Sequence, residues 1–600
     1  MFDTLIAGLL QGNVYALGAV GISLVFGVMN VVNFAQFSFF SLGAMLAWFF
    51  VVRQHLPFWV ALALVIVICA ALGLIINVSV VRPLAKYLPL AAMLSTYAVS
   101  QILDNVSQTA FGAQYREFPQ VLSTTNFHVG SMLFGTSDVV MLGITLVLMV
   151  VMSLFLKLSK IGQAIRATTQ DQEAALQVGI PVGAVQHVAF VIASALGGLA
   201  GIFFALYDGI ADPTSGLTTG LIAFVAATVG GLGSLVGAVI GGFILGILEA
   251  FGIYWFGDAS NQIIVFVILL IVLIVRPGGL LGKVPLFSSE PLTGTFLGKG
   301  RPFRIPRWVW LAAFAVGAVV IPFAGSDDLL TTGTQVLIYA IIAAGLTITA
   351  GQAGVMALGQ AGPVAIGAYT SALLTLHLNL SFWAALPIAG IAAAVIASVL
   401  ASPIWGVKGH YIAIATLGLG VAIVAVIQLI VPLALYDIPV PEWGSTELAS
   451  PLDYYLIDFV VLVVTLLVIW RIRGSHLGKA IASVGSDEVA ALASGVRTRG
   501  YKALAFAVSA FFAGIGGSLL AAQYTYIDTT VFTTVMSVLV VTIVIMGGVG
   551  LPYGAVVGAI VLIGALQLLR VTDDLRIIVY GLVLILVVRF RPGGILVRNS

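Results

Sequence analysis

The sequence is poor in cysteine and in charge. Cys69 is its single cysteine, so no internal disulfide can form, and the apolar run around it indicates a small buried side chain. Only 8% of the 600 residues are charged, whereas soluble domains carry about 25%. The first 30 residues lack Lys and Arg, which argues against a secretory signal peptide with its basic front. We therefore expect a membrane protein whose first apolar segment is a retained membrane helix.

Motifs of enzyme and metal sites are lacking as well. The histidines show no paired spacing typical of metal ligands, and no Ser/His/Asp arrangement is apparent. The segment closest to a phosphate-binding loop, Gly294–Gly300, has the wrong glycine spacing and lacks the final Ser or Thr. We therefore expect no catalytic residue, no metal ligand and no ATP hydrolysis in this chain.

Long apolar runs dominate what is present. Hydrophobic residues make up 61% of the chain, and stretches such as Val60–Val81 and Val139–Leu156 contain no charge. A helix needs roughly 20 apolar residues to cross a hydrocarbon core of about 30 Å. The sequence therefore predicts an all-α polytopic membrane protein.

An internal repeat runs through the chain. Gly162–Asp171 recurs 316 positions later as Gly478–Asp487. The match continues without a gap to Gly179 in the first copy and Gly495 in the second. A series of matches in the same order indicates duplication of a whole structural unit.

The ends of the two copies define the predicted domains. Arg-Pro-Gly-Gly closes the first copy at 276–279 and the second at 591–594. A segment rich in Gly, Pro, Ser and basic residues separates the copies, and we interpret it as the joint of two fused subunits. A simple loop between helices is the alternative. The predicted domains are a first half at 1–280, a basic cytoplasmic linker at 281–307 and a second half at 308–600.

Basic residues predict the orientation. Most Lys and Arg fall in four clusters, and the positive-inside rule places all of them in the cytoplasm; the clusters are 157–166, 276–307, 471–502 and 589–598. An odd number of crossings in the first half would invert the second, but the apolar segment Trp308–Phe323 adds a helix and restores the orientation. We predict two parallel repeats of about nine and about ten transmembrane helices, related by a pseudo-twofold axis along the membrane normal.

The repeated segments 162–181 and 478–497 are compatible with helices on the cytoplasmic side. Both contain acidic residues, namely Asp171, Glu173, Asp487 and Glu488. A duplicated helix on one face of the membrane suits a duplicated partner. The alternative is an amphipathic surface helix that packs beneath the bundle.

At this segment the chain resembles the permeases of ABC importers. Residues 173–179 contain the Glu-Ala-Ala-x3-Gly pattern of that class, in which such a loop forms a coupling helix that docks on an ATP-binding subunit. The second copy departs from the pattern, because Val489 follows Glu488. The coupling residues implied by the resemblance are Asp171, Glu173, Ala174, Ala175, Gly179, Asp487, Glu488, Ala490, Ala491 and Gly495.

The resemblance covers nearly the whole chain. Residues 1–280, with Asn30-Val-Val-Asn-Phe-Ala-Gln36, look like one permease subunit of the branched-chain amino-acid importers, and residues 308–598 look like the other. In that family the two are usually separate chains. The resemblance implies an importer permease in the bacterial or archaeal plasma membrane. Its implied partners are two cytoplasmic ATP-binding subunits, which hold ATP and magnesium, and an external solute-binding protein.

Polar residues inside the apolar runs suggest a translocation path. Tyr97, Gln101, Asn105 and Gln108 share one helical face, with Asp104 beside it. Other polar residues align with these in the second copy or lie beside glycines where helices can break. The predicted path residues are Asn33, Gln36, Thr96, Tyr97, Gln101, Gln108, Gln360, Thr416 and Gln428. An interhelical hydrogen bond is the alternative role for each.

Two other functions stay open at this point. The same family includes importers of urea, short amides and other amino acids, and the permease motifs separate these poorly. A secondary transporter would need charged residues inside the membrane to bind a coupling ion. The candidates for that role are Asp104, Glu249 and Arg570.

Overall fold

Apolar helices account for most of the described chain. The computed structural model of the protein describes residues 1–600 except 86–88, 122–126, 130–131, 258–259, 277, 283–299, 303–308, 310–315, 318–320, 325, 407–409, 432–433, 445, 566, 568–572, 592 and 600. The predicted linker lies largely outside these residues, as do Arg570 and more than half of the apolar segment at 308–323.

Twelve α-helices form the first half within the described residues. They are α1 (Phe2–Met29), α2 (Ala35–Trp48), α3 (Phe58–Ile76), α4 (Arg82–Ala85), α5 (Pro89–Phe111), α6 (Thr136–Leu158), α7 (Lys160–Gln170), α8 (Gln172–Gln177), α9 (Val182–Asp208), α10 (Ser215–Gly230), α11 (Leu235–Phe256) and α12 (Asn261–Val275). Two antiparallel strand pairs lie in the loops, β1 (Arg116–Glu117) with β4 (Ile210–Ala211) and β2 (Phe127–Val129) with β3 (Met132–Phe134).

Twelve further helices follow in the described part of the second half. They are α13 (Ile321–Ala324), α14 (Asp327–Thr347), α15 (Ala361–Leu378), α16 (Phe382–Ala401), α17 (His410–Ile430), α18 (Pro451–Gly474), α19 (His476–Ser486), α20 (Glu488–Ala493), α21 (Thr498–Tyr524), α22 (Thr534–Gly547), α23 (Pro552–Ala559) and α24 (Asp573–Phe590). The strand pairs are β5 (Gly300–Pro302) with β8 (Val597–Asn599) and β6 (Glu442–Trp443) with β7 (Thr446–Glu447).

Contacts divide the chain into two compact units. One comprises Met1–Pro285 and Asp573–Ile585, and the other comprises Leu286–Thr572 and Leu586–Ser600. The first residues of α24 therefore belong to the first unit. The domain boundaries inferred from the sequence stay a prediction.

Thirteen helical segments of the described chain are long and apolar enough to cross a membrane. Shorter apolar helices accompany them, at Ser215–Gly230, Asn261–Val275, Pro552–Ala565 and Ile578–Val587. The prediction of an all-α polytopic membrane protein is thereby confirmed. The totals of about nine and about ten crossings stay predictions.

Helix α5 is long enough to span a membrane but is not among the thirteen. Its 23 residues extend about 34 Å at the rise of an α-helix. Polar side chains in its second half, including Gln101, Asp104 and Gln108, lower its mean hydropathy. Such a helix needs protein or water, rather than lipid, along its polar face.

Both halves close on the same backbone contact. Leu280 N–H donates to Val229 O over 2.8 Å, and Ile595 N–H donates to Met546 O over 2.7 Å. The glycine before Leu280, Gly279, has a φ of +76°, and its counterpart in the second half has +95°. A side chain at either glycine would meet backbone at the C-terminal end of α10 in the first half or of α22 in the second. The repeated Arg-Pro-Gly-Gly motif therefore has a structural role in each half.

Candidate functional site

The first repeated segment forms two helices rather than one. Asp171, between α7 and α8, is extended with φ −157° and ψ 112°. Its carboxylate accepts hydrogen bonds from the backbone N–H groups of Glu173 and Ala174, at 2.9 and 3.0 Å. Asp171 is therefore the N-cap of α8, and its side chain satisfies two amides that a helix start leaves open. We name α7 and α8 helix pair 1.

The second repeated segment has the same geometry. Asp487 separates α19 from α20 with φ −157° and ψ 106°. Its carboxylate accepts from the N–H groups of Val489 and Ala490, at 2.9 and 3.0 Å. We name α19 and α20 helix pair 2. The repeated aspartate thus breaks each helix-compatible segment in two and starts its second helix.

A glycine with left-handed backbone lies two residues after the end of each helix pair. Gly179 has φ +84° and Gly495 has φ +82°, and an added Cβ at either would meet nothing within 4 Å. Conformation rather than space therefore requires glycine there. Ile180 N–H donates to Ala175 O over 3.0 Å, and the second copy repeats this bond. Ala175 and Ala491 are buried and hold the short helices against the protein.

Both helix pairs expose large apolar side chains among their polar ones. Helix pair 1 and the residue that follows it expose Leu176 (56%) and Val178 (76%). Helix pair 2 exposes Val489 (62%) and Leu492 (63%). Large apolar side chains that are exposed together on a short, capped helix are typical of a surface that contacts another protein.

The acidic residues of the two pairs differ in their surroundings. Glu173 is exposed. Glu488 forms an ion pair with Lys502 of α21 at 2.7 Å, and the two side chains are 19% and 4% exposed. Gln172 and Gln186 occupy the matching positions of the first copy. An ion pair therefore ties the short helix to the next long helix only in the second half.

Irregular, buried backbone precedes α2 and α15. Phe34 N–H donates to Thr96 Oγ1 at 3.0 Å, and Leu358 N–H donates to Thr416 Oγ1 at 3.1 Å. Irregular backbone inside a membrane protein persists only where protein or water satisfies it. The structure places these two aligned threonines, both buried, in the same role of holding a break between helices.

The predicted path amides lie beside these breaks. Gln36 Nε2 donates to Ala193 O at 2.7 Å, and Gln360 Nε2 donates to Ala357 O at 3.3 Å. Among the described residues, Gln36 Oε1 and Asn33 Nδ2 have no hydrogen-bond partner. In Asn33 and Gln36, one polar atom of the side-chain amide is therefore bonded within the protein. The other polar atom is available to a ligand or water.

Helix α5 carries a polar stripe. Tyr97, Gln101, Asp104 and Gln108 follow one another at spacings of four, three and four residues, which keeps them within about 60° of arc on one face. We call these four residues the α5 stripe. Asp104 is thus part of the face, and Asn105 lies about 40° beyond its edge. Asn105 is buried and donates from Nδ2 to Gln101 O at 2.9 Å, and Tyr97 within the stripe is buried as well.

Buried serines surround Asp104. Ser41 Oγ donates to Asp104 Oδ1 at 3.2 Å, and Ser100 Oγ donates to Oδ2 at 3.5 Å. Ser38 Oγ lies 2.6 Å from Ser100 Oγ. Sequence analysis missed these serines because small hydroxyl residues are common wherever membrane helices pack closely. The sequence does contain one hint, because Ser38 and Ser41 are three residues apart and so share a face of α2.

Helix α17, the counterpart of α5, is apolar where the stripe lies. Thr416 and Gln428 match Thr96 and Gln108, and Gln428 is exposed. The three other stripe positions are taken by Leu417, Val421 and Val424. The two halves therefore share a fold at this level but differ in chemistry.

Glu249 of α11 is bonded within the protein. Its Oε1 accepts hydrogen bonds from Gln11 Nε2 at 2.9 Å and from Tyr15 OH at 3.1 Å, so it joins α11 to α1. Glu249 is fully buried. Within the part of the chain that the structure describes, no three His, Cys, Asp or Glu side chains are grouped as metal ligands.

Comparisons with known proteins match both halves. The family model described as "Branched-chain amino acid transport system / permease component" covers residues 4–274 and again 329–588. The permease protein LivM of the high-affinity branched-chain amino acid transport system of Escherichia coli is 33% identical over 321 residues, which cover 49% of this chain and 75% of that protein. The double match confirms the predicted duplication.

Other relatives match at similar identity. The permease protein BraD of the corresponding system of Pseudomonas aeruginosa is 30% identical over 297 residues, covering 46% of this chain and 95% of that protein. The permease protein LivH of Escherichia coli is 30% identical over 291 residues, covering 46% and 94%. No solved structure matches the chain significantly.

Proposed function

We propose that this chain, which belongs to the family of branched-chain amino acid transport permease components, imports leucine, isoleucine and valine. It contains two copies of the permease unit in one multi-pass plasma-membrane protein. It would form the membrane part of a binding-protein-dependent ABC importer. The relatives are permeases of high-affinity branched-chain amino acid systems, which supports this substrate class. A permease component is a transporter rather than an enzyme.

The two helix pairs are the observation that carries this proposal. Each presents a short helix whose start is fixed by an aspartate cap and which exposes two large apolar side chains at or beside it. Such a rigid element can enter a groove of a partner and transmit a displacement to the long helix that follows it. Two ATP-binding subunits in the cytoplasm, one for each helix pair, would supply that displacement. ATP and magnesium would bind in those subunits.

The solute would pass along polar groups that the spans themselves hold in place. In the first half the proposed lining is the break held by Thr96, the amides of Asn33 and Gln36, and the α5 stripe. In the second half it is the break held by Thr416 and the amide of Gln360. An external solute-binding protein would deliver the amino acid. A permease that receives its solute in this way needs only weak contacts along the path, which agrees with the few polar groups present.

Uptake of labelled leucine tests the proposal. The assay compares cells with and without this gene, in a strain that lacks other leucine importers. Excess unlabelled isoleucine, valine or urea is added as a competitor. We expect uptake that is lost on deletion, blocked by isoleucine and valine, and unchanged by urea. Uptake should also stop when cellular ATP is depleted while the membrane potential is maintained.

Three results would contradict the proposal. Unchanged leucine uptake in the deletion strain would remove the substrate assignment. Competition by urea would favour an importer of short amides. Uptake that persists without ATP but follows an ion gradient would identify a secondary transporter.

A further inference from the structure

Asp104 is a carboxylate within the long helix α5. Neither α5 nor α2, which supplies serines around it, carries a cationic side chain. Asp104 lies seven residues before the end of α5, about 10 Å along the helix. Among the described residues, the hydrogen-bond donors to its carboxylate are serine hydroxyls. An ionisable side chain in such a place is costly and indicates a functional role.

Two serine hydroxyls donate hydrogen bonds to the carboxylate of Asp104, and a third serine contacts one of them. Ser41 and Ser100 approach different oxygens of Asp104, and Ser38 contacts Ser100. All three serines are buried, whereas Asp104 itself is partly exposed. A carboxylate offers about four lone-pair sites, so these donors stabilise the charge and leave acceptor capacity on the exposed side.

The position of Asp104 connects it to the proposed path. Tyr97, Gln101 and Gln108 of the α5 stripe are neutral, and Asp104 is the charged member between them. The second half has no equivalent, because Val424 replaces Asp104 and Gly420 replaces Ser100. The α5 stripe of the first half therefore carries a charge that the matching helix of the second half lacks.

The chemistry of the solute fits this single charge. A branched-chain amino acid is a zwitterion with an apolar side chain, and its α-ammonium group donates three hydrogen bonds and carries one positive charge. A charge-assisted hydrogen bond between ammonium and carboxylate is stronger than a neutral one. Urea has no positive charge to offer.

We propose that Asp104, oriented by Ser38, Ser41 and Ser100, is a specificity-determining residue that binds the α-ammonium group of the amino acid in transit. This inference rests on the proposed import of branched-chain amino acids.

Substitutions at Asp104 in the complete importer test the inference. D104N keeps the size and hydrogen bonds of the side chain but removes its charge, and we expect leucine uptake, per amount of chain in the membrane, to fall roughly tenfold or more. D104E keeps the charge and should recover a substantial part of uptake. E249Q is the matched control, since it neutralises another buried acid of the same half that is already bonded to Gln11 and Tyr15; uptake should stay near that of the wild type.

Each other outcome overturns the inference. Wild-type uptake in D104N would show that no charge is needed at this position. Equal loss in D104N, D104E and E249Q would indicate a structural role. Wild-type uptake that requires sodium, together with loss in D104N, would assign the carboxylate to a sodium ion. If the wild type takes up no leucine at all, the proposed function fails and this inference fails with it, whereas normal wild-type and D104N uptake would leave the function intact.

Discussion

At the scale of single residues, one carboxylate starts the short helix of each helix pair. Asp171 and Asp487 make the same two bonds to backbone amides in the two halves. The resemblance implied an acidic contact with an ATP-binding subunit, but these bonds already give both side chains an internal role. A cap and a charge contact respond differently to substitution.

The cap interpretation predicts that D171A and D487A weaken coupling whereas D171N and D487N preserve it. Alanine removes an N-cap worth about 1 kcal/mol, while asparagine caps nearly as well as aspartate. The measurement is the amount of ATP-binding subunit that co-purifies with each variant, alongside leucine uptake. If asparagine proves as harmful as alanine, the negative charge itself contacts the partner and capping is not the main role.

A second prediction concerns the ion pair between Glu488 and Lys502. E488Q leaves a buried ammonium without its charge partner, which should destabilise the attachment of α20 to α21 by about 3 kcal/mol. Faster amide hydrogen exchange in α20 of the purified chain would report this loss. Q172A, at the matching position of helix pair 1, is the control and should leave exchange in α8 unchanged. Equal exchange in E488Q and the wild type would mean that the pair contributes no stability.

At the scale of elements, the sequence predicted more of the helices than of their breaks. Apolar runs and the 316-residue repeat are visible in the sequence itself, so they predict the spans and the two repeated helical segments. The break at Asp171 was not, because an aspartate within a helix-compatible segment has the same composition whether it caps or not. Likewise, the serines around Asp104 come from two helices, α2 and α5. Their contact depends on how these helices pack, which the residue spacing within either helix does not predict.

Helix α5 is the element whose environment can be tested most simply. The native Cys69 is buried, so the chain offers a low background for thiol labelling. We predict that Q101C and Q108C react with a small, charged, water-soluble thiol reagent, because the α5 stripe lines an aqueous path. A98C, on the same helix at a fully buried position, is the control and should stay unreactive. Protection of both stripe cysteines from the reagent in the resting importer would place the stripe against protein instead.

At the scale of the whole molecule, duplication is the organising feature. Both halves match one family model, repeat the capped helix pair, and close on the same backbone contact. The halves differ at Asp104, whose counterpart is Val424, and at the ion pair of Glu488, whose counterpart position holds Gln172. From these features we expect a single chain to supply everything that two separate permease subunits would, including both docking elements for ATP-binding subunits.

The subunit composition of the intact importer tests that central claim most directly. The assembly would be isolated from native membranes through a tag on this chain, and its composition determined by native mass spectrometry. We predict one copy of this chain with two ATP-binding subunits, and the loss of one of them when D171A weakens helix pair 1. Two copies of this chain in each assembly, or a chain purified without any ATP-binding subunit under conditions that support uptake, would contradict it.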